Sequence, residues 1–183
     1  TITFGAVGAA NDFGAGDVGF DGIGSESLTD TALASGDIGW SYSVNGVSLA
    51  LVGNTATDDI SYSVGFSFSG VDLTLAGSEY DNGDSDTRVK AAAGFGPLSA
   101  TVIVTDSEVS LVDTSAVAMS VGYAVNDAFS VTAAFSQNDI AADADTSGVG
   151  FTYNMGGGLS LKGGAGTNSS DTDVAEVGFT MAF

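Results

Sequence analysis

The chain has 183 residues, of which 27 are glycine, one is proline and 44% are hydrophobic. Length and apolar content are enough for one folded domain and argue against disorder. Three basic residues against 23 acidic ones give a formal charge of -20, which excludes a phosphate-binding surface and hence nucleic acid as a partner. Cysteine and histidine are both absent. A disulfide framework, thiolate metal sites and the commonest general base are therefore missing, and no spacing of carboxylates points to catalysis. No run approaches the ~18 consecutive apolar residues that a spanning helix needs.

Residues 1–7 (TITFGAV) read as a short strand. Residues 8–35 follow as a long Gly/Ala/Asp segment carrying Asp12, Asp17, Asp21, Glu26 and Asp30. A loop of that length in a compact domain is commonly functional. From Gly36 onward, hairpins run without interruption. Ile38, Trp40, Tyr42 and Val44 form one apolar row, Asn45-Gly46 is a strong two-residue hairpin signal, and Val47, Leu49 and Leu51 return. Residues 60–75 (ISYSVGFSFSGVDLTL) show the pattern at its clearest. Ile60, Tyr62, Val64, Phe66 and Phe68 alternate with Ser61, Ser63, Gly65 and Ser67, which places large apolar and small polar side chains on opposite faces.

The later segments repeat it. Residues 89–95 and 98–104 join at Gly96-Pro97. Val117 to Val125 turn through Asn126-Asp127 into Phe129 to Phe135, and Val149 to Met155 turn through three glycines into Leu159 and Leu161. Val177, Phe179, Met181 and Phe183 close the chain. Short turns alternate with longer acidic connections at 54–58, 80–87, 106–114, 138–146 and 166–173. Charges in the strand bodies (Asp37, Asp59, Asp72, Arg88, Lys90, Lys162, Glu176) share the parity of the small polar row, and Glu79 departs from it only at a loop end. Small serines and glycines are poor cover for a soluble sheet, which is usually coated with long charged side chains. The expectation is one all-β domain over residues 1–183, a transmembrane antiparallel up-and-down β-barrel of twelve strands with its apolar face outward and its long loops at one end.

At this point the chain resembles the trimeric general diffusion porins of the alphaproteobacterial type. The closing stretch YNMGGGLSLKGGAGTNSSDTDVAEVGFTMAF (residues 153–183) is similar to that family's last hairpin, terminal Phe included. TITFGAV with the Gly/Asp segment after it resembles the family's fifth strand and third loop. The resemblance implies a sixteen-stranded porin of which these are the last twelve strands. It implies a passive channel for small hydrophilic solutes and ions in the bacterial outer membrane, set in lipid and lipopolysaccharide as a homotrimer. Residues 8–35 would be its inward-folded constriction. No signal peptide opens the chain, which reads as a mature product or a fragment. Either four N-terminal strands precede Thr1, or the chain closes on itself with twelve. The cost of two unpaired edges in lipid favours the former over an open sheet.

The five loop acids are the candidate constriction, giving weak cation selectivity by Coulomb attraction. Arg88, Lys90 and Lys162 are candidate lumenal cations, either a basic wall opposite those acids or charge balance within the barrel. Asp81, Asn82, Asp84 and Asp86 form a candidate calcium cluster, although the Gly and Glu positions of a twelve-residue calcium loop are not met. The competing reading is a secreted acidic calcium-dependent adhesin or surface-layer module. That protein would not need alternating turn lengths or a terminal aromatic strand.

Overall fold

The computed structural model describes residues 1–12, 14, 15, 18, 36–139 and 145–182. Among these there is no helix. The twelve strands are β1 (Ile2–Val7), β2 (Gly36–Val44), β3 (Val47–Gly53), β4 (Ile60–Phe68), β5 (Val71–Glu79), β6 (Ser85–Phe95), β7 (Leu98–Val109), β8 (Val112–Ala124), β9 (Phe129–Asn138), β10 (Thr146–Gly156), β11 (Leu159–Thr167) and β12 (Asp173–Met181). They form one antiparallel sheet in sequence order, with β1 paired to β2 and β12 paired to β11 at its two edges.

Local chemistry sets the turns. Asn45-Gly46 and Ser69-Gly70 place both central residues at positive φ, the mirror-image turn that matches strand twist and closes a two-residue hairpin. The register then follows without a slip through β2, β3, β4 and β5, for example Tyr42↔Leu49↔Val64↔Leu75. Such rows keep one parity on one face across the whole sheet.

That face is the dry side of nothing in the chain itself. Phe66 is 51% exposed and Phe179 66%, whereas Ser61 on the opposite face is only 6% exposed. Exposed large apolar side chains recur in this row from β1 to β12, and Trp40 and Tyr42 stack in it at 6.4 Å while Phe129 meets Tyr153 edge-on. What apolar burial exists lies on the polar face, where Ala15 packs on Ile103 and Ala118, and Val18 packs on Ala134 with Val174 beside it.

Two expectations need correcting. Residues 106–114 are no long loop: β7 and β8 continue through them, pairing Asp106↔Ser115 and Glu108↔Asp113, and turn at Ser110-Leu111 with φ of 52° and 66°. Asp106, Glu108 and Asp113 thereby become strand charges with the parity of the aromatic row. They lie beyond Val104 and Val117, where the outer face has stopped being apolar, so their charge meets no greasy surroundings. Likewise β6 begins at Ser85, which makes Asp86 and Thr87 strand residues rather than loop.

Candidate functional site

The polar face becomes a site because Ala10, Asn11, Gly14, Ala15 and Val18, which follow β1, make their contacts there. Side chains contributed by β4, β5, β6 and β8 bond to the first four of these in turn. The Ala10 N–H donates to Ser61 Oγ at 2.9 Å. Asn11 is fully buried, and its Nδ2 donates to Ser78 Oγ at 2.7 Å and to Asp86 Oδ2 at 2.9 Å. Ser78 and Asp86 face one another in the β5–β6 register, so one amide bridges two strands. Arg88, two residues along β6 and hence on the same face, donates from Nε to Asp86 Oδ2 at 3.1 Å and from Nη1 to the Asn11 carbonyl at 3.3 Å. Arg88 is fully buried and Asp86 is 3% exposed.

The next contacts move across the sheet. Lys90 Nζ donates to the Gly14 carbonyl at 3.2 Å, and Ser120 Oγ donates to the Ala15 carbonyl. Ala15 covers Ile103 and Ala118, which pair between β7 and β8. Val18 reaches Ala134 and Val174. Those two flank a pair of glycines in one register row, Ala134↔Gly148↔Gly166↔Val174. A Cβ on Gly166 would strike the Ser147 carbonyl oxygen and lie 2.6 Å from Gly148 Cα; only backbone fits there.

Among the predicted constriction acids, Asp12 is exposed, while Asp17, Asp21, Glu26 and Asp30 lie outside the described residues. Arg88 and Lys90 have the expected parity, and they donate to the Asn11 and Gly14 carbonyls. Lys162 stands half-buried on β11, on the same face. The calcium quartet is not brought together. Asp86 is engaged on the wall, whereas Asp84 accepts from Asn82 Nδ2 at 2.9 Å and from the Ser110 N–H at 2.7 Å in an exposed turn. Among the described residues, no three carboxylates converge on a point that could hold a metal ion.

Other acids at this end tie neighbouring connections to one another. Asp37 accepts the Thr55 N–H at 3.0 Å, Asp59 the Asp81 N–H at 3.1 Å, and Asp139 the Ser115 Oγ at 3.1 Å. Behind them, in the connection after β5, burial and the nearby Asp86 carboxylate push the Tyr80 phenol above its usual range. Asn11 escaped sequence reading. The signal that could have marked its path is a set of apolar residues with polar-row parity (Val52, Ile103, Val174), since such residues need a cover on the watery side.

The family model described as Gram-negative porin matches residues 1–173. No curated protein matches the chain. Among solved structures, a porin refined at 1.8 Å superposes with a TM-score of 0.76 at 22% identity, over 97% of this chain and 75% of that one. OmpT, an outer-membrane protein of Vibrio cholerae in trimer form, gives 0.72 at 18% identity, over 99% and 72%. A multiply substituted Rhodopseudomonas blastica porin gives 0.73 at 21% identity, over 100% and 73%.

Proposed function

This chain belongs to the Gram-negative porin family, a diffusion channel of the bacterial outer membrane, and from that premise we propose that it is weakly cation-selective and that the acidic segment 8–35 forms its constriction. One observation carries the reading. Ala10, Asn11, Gly14, Ala15 and Val18 lie along the polar face, and Asp12 in their midst is exposed. A segment lying there takes up part of the watery cross-section. Solutes pass on its free side, between Asp12 and the rest of the wall.

The selectivity is weak for a simple reason. A unit charge about 4 Å from an ion in water-like surroundings contributes about 1 kcal/mol. Salt trims this further, because the screening length is only ~8 Å at physiological ionic strength. The channel therefore sorts by charge sign and size, with little chemical discrimination. We place it in lipid and lipopolysaccharide as a homotrimer. Support for the trimer comes from the trimer form of OmpT and from small outward residues, Ala91, Ala93, Ala100 and Ala133, that let two walls approach. The adhesin reading leaves a bare aromatic row unexplained.

The test is the reversal potential in planar bilayers across a KCl gradient. Replacing Asp12, Asp17, Asp21, Glu26 and Asp30 by their amides lowers the cation-to-anion permeability ratio, and raising the salt lowers it in the parent. An unchanged ratio in the amide variant places those acids away from the ion path.

A further inference from the structure

We propose that Asp86, Arg88 and Asn11 form a latch that holds the constriction segment against the wall, and that Arg88 and Lys90 act as positioning residues. The proposal rests on the constriction reading above and assigns the groups that set the placement of Ala10, Asn11, Gly14 and Ala15 on the wall.

Three features make the site a built one. All three side chains are buried. The contacts are complementary in kind: one carboxylate accepts from a guanidinium and from an amide, while the same guanidinium returns to the backbone carbonyl of the amide residue. And the partners lie 75 and 77 positions apart in the chain, so the cluster joins the segment to β6 and serves no local turn. A buried Arg–carboxylate pair needs its remaining donors and acceptors met, and residue 11 supplies one of each, its amide to Asp86 and its carbonyl to Arg88. Remove the Asn11 side chain and Asp86 loses a donor; the Arg88 bond to the residue 11 main-chain carbonyl goes only when this stretch leaves the wall. Lys90 adds a second fastening three residues on, at the Gly14 carbonyl.

The consequence separates two kinds of residue. Acids on the free side of the segment tune which ions pass. Asp86 and Arg88 tune how often the segment is in place at all. Loss of a hydrogen bond to a buried charged group raises the population of the released segment by on the order of ten- to a hundredfold.

The chain has no cysteine, so Ala15→Cys, at a position covered in the latched form, reports release by its rate of reaction with a water-soluble maleimide. The experiment uses the full chain, folded in detergent and reconstituted in vesicles. On this background Asp86→Asn accelerates labelling, Asn11→Asp does so by setting two carboxylates together, and the double exchange Asn11→Asp with Asp86→Asn restores the slow rate. Arg88→Lys, which keeps a cation beside Asp86 but cannot reach both partners, labels at an intermediate rate and serves if Asp86→Asn does not fold. Equal rates in all variants, or a double exchange as fast as the singles, overturn the latch. Conductance of the same proteins is read separately. Faster labelling with unchanged conductance keeps the latch and overturns the constriction reading.

Discussion

Consider Val64, at the middle of β4 on the aromatic row, opposite Leu49 and Leu75. The apolar run from Ile60 to Phe68 spans eight intervals, about 27 Å along the strand at ~3.4 Å each and about 20 Å of membrane depth at a ~40° tilt. Val64 thus lies about 10 Å from either rim, where an arginine on the lipid face costs about 2–4 kcal/mol. Val64→Arg should shift the folding equilibrium by roughly 30- to 1000-fold at ~1.4 kcal/mol per decade. Its neighbour Ser63 points to the polar face, and Ser63→Arg should fall within about 1 kcal/mol of the parent, because its guanidinium reaches water. Val64→Phe discriminates further. In a close-packed core such an enlargement costs about 1–3 kcal/mol, but on a face that meets acyl chains it should be near neutral. Equilibrium unfolding by urea in phospholipid vesicles measures all three, with Trp40, the single tryptophan, reporting by its emission shift. Equal penalties for the two arginines, or a destabilising phenylalanine, would refute the assignment of faces.

Other expectations follow from local geometry. Gly166→Ala inserts a methyl into the Ser147 and Gly148 backbone, so it should break the β10–β11 register at that row and reduce the folded, heat-modifiable band on electrophoresis. Leu111 adopts φ of 66° in the β7–β8 turn, a conformation that costs a non-glycine residue about 1–2 kcal/mol. Leu111→Gly should recover most of that, read as a higher urea midpoint with conductance unchanged. Asp139→Ala removes the acceptor for the Ser115 hydroxyl and backbone. Faster amide exchange should appear at Ser115 while the strand interiors stay protected.

The sheet was readable because its determinants are local. Period-two alternation in residues 60–75 fixes which face each side chain takes, and Asn45-Gly46 or Ser69-Gly70 fixes the turn without reference to distant residues. Where determinants are not local, reading failed. Residues 106–114 look like loop, since Asp, Glu and Ser disfavour strands. They are held in β7 and β8 by twelve consecutive register pairs starting at Leu98↔Tyr123, a tertiary fact that outweighs propensity. Asp86 looked like a member of an acidic loop, yet its partners are Asn11 and Arg88. Nothing in the spacing of residue 11 announces that it will meet residue 86. The resemblance to porins implied an inward path for residues 8–35; for Asn11, Ala15 and Val18 the sequence held only an indirect trace, in apolar residues such as Ile103 and Val174 with the parity of the polar face.

Site-directed spin labels at residues 62–67 offer the most direct check on which face is wet, because the chain has no native cysteine to interfere. In vesicles, collision with dissolved oxygen should peak at Tyr62, Val64 and Phe66, and collision with a water-soluble nickel chelate should peak at Ser63 and Ser67, the two profiles running out of phase with a period of two. Profiles in phase, or nickel contact along the aromatic row, would contradict a channel whose polar face carries the water.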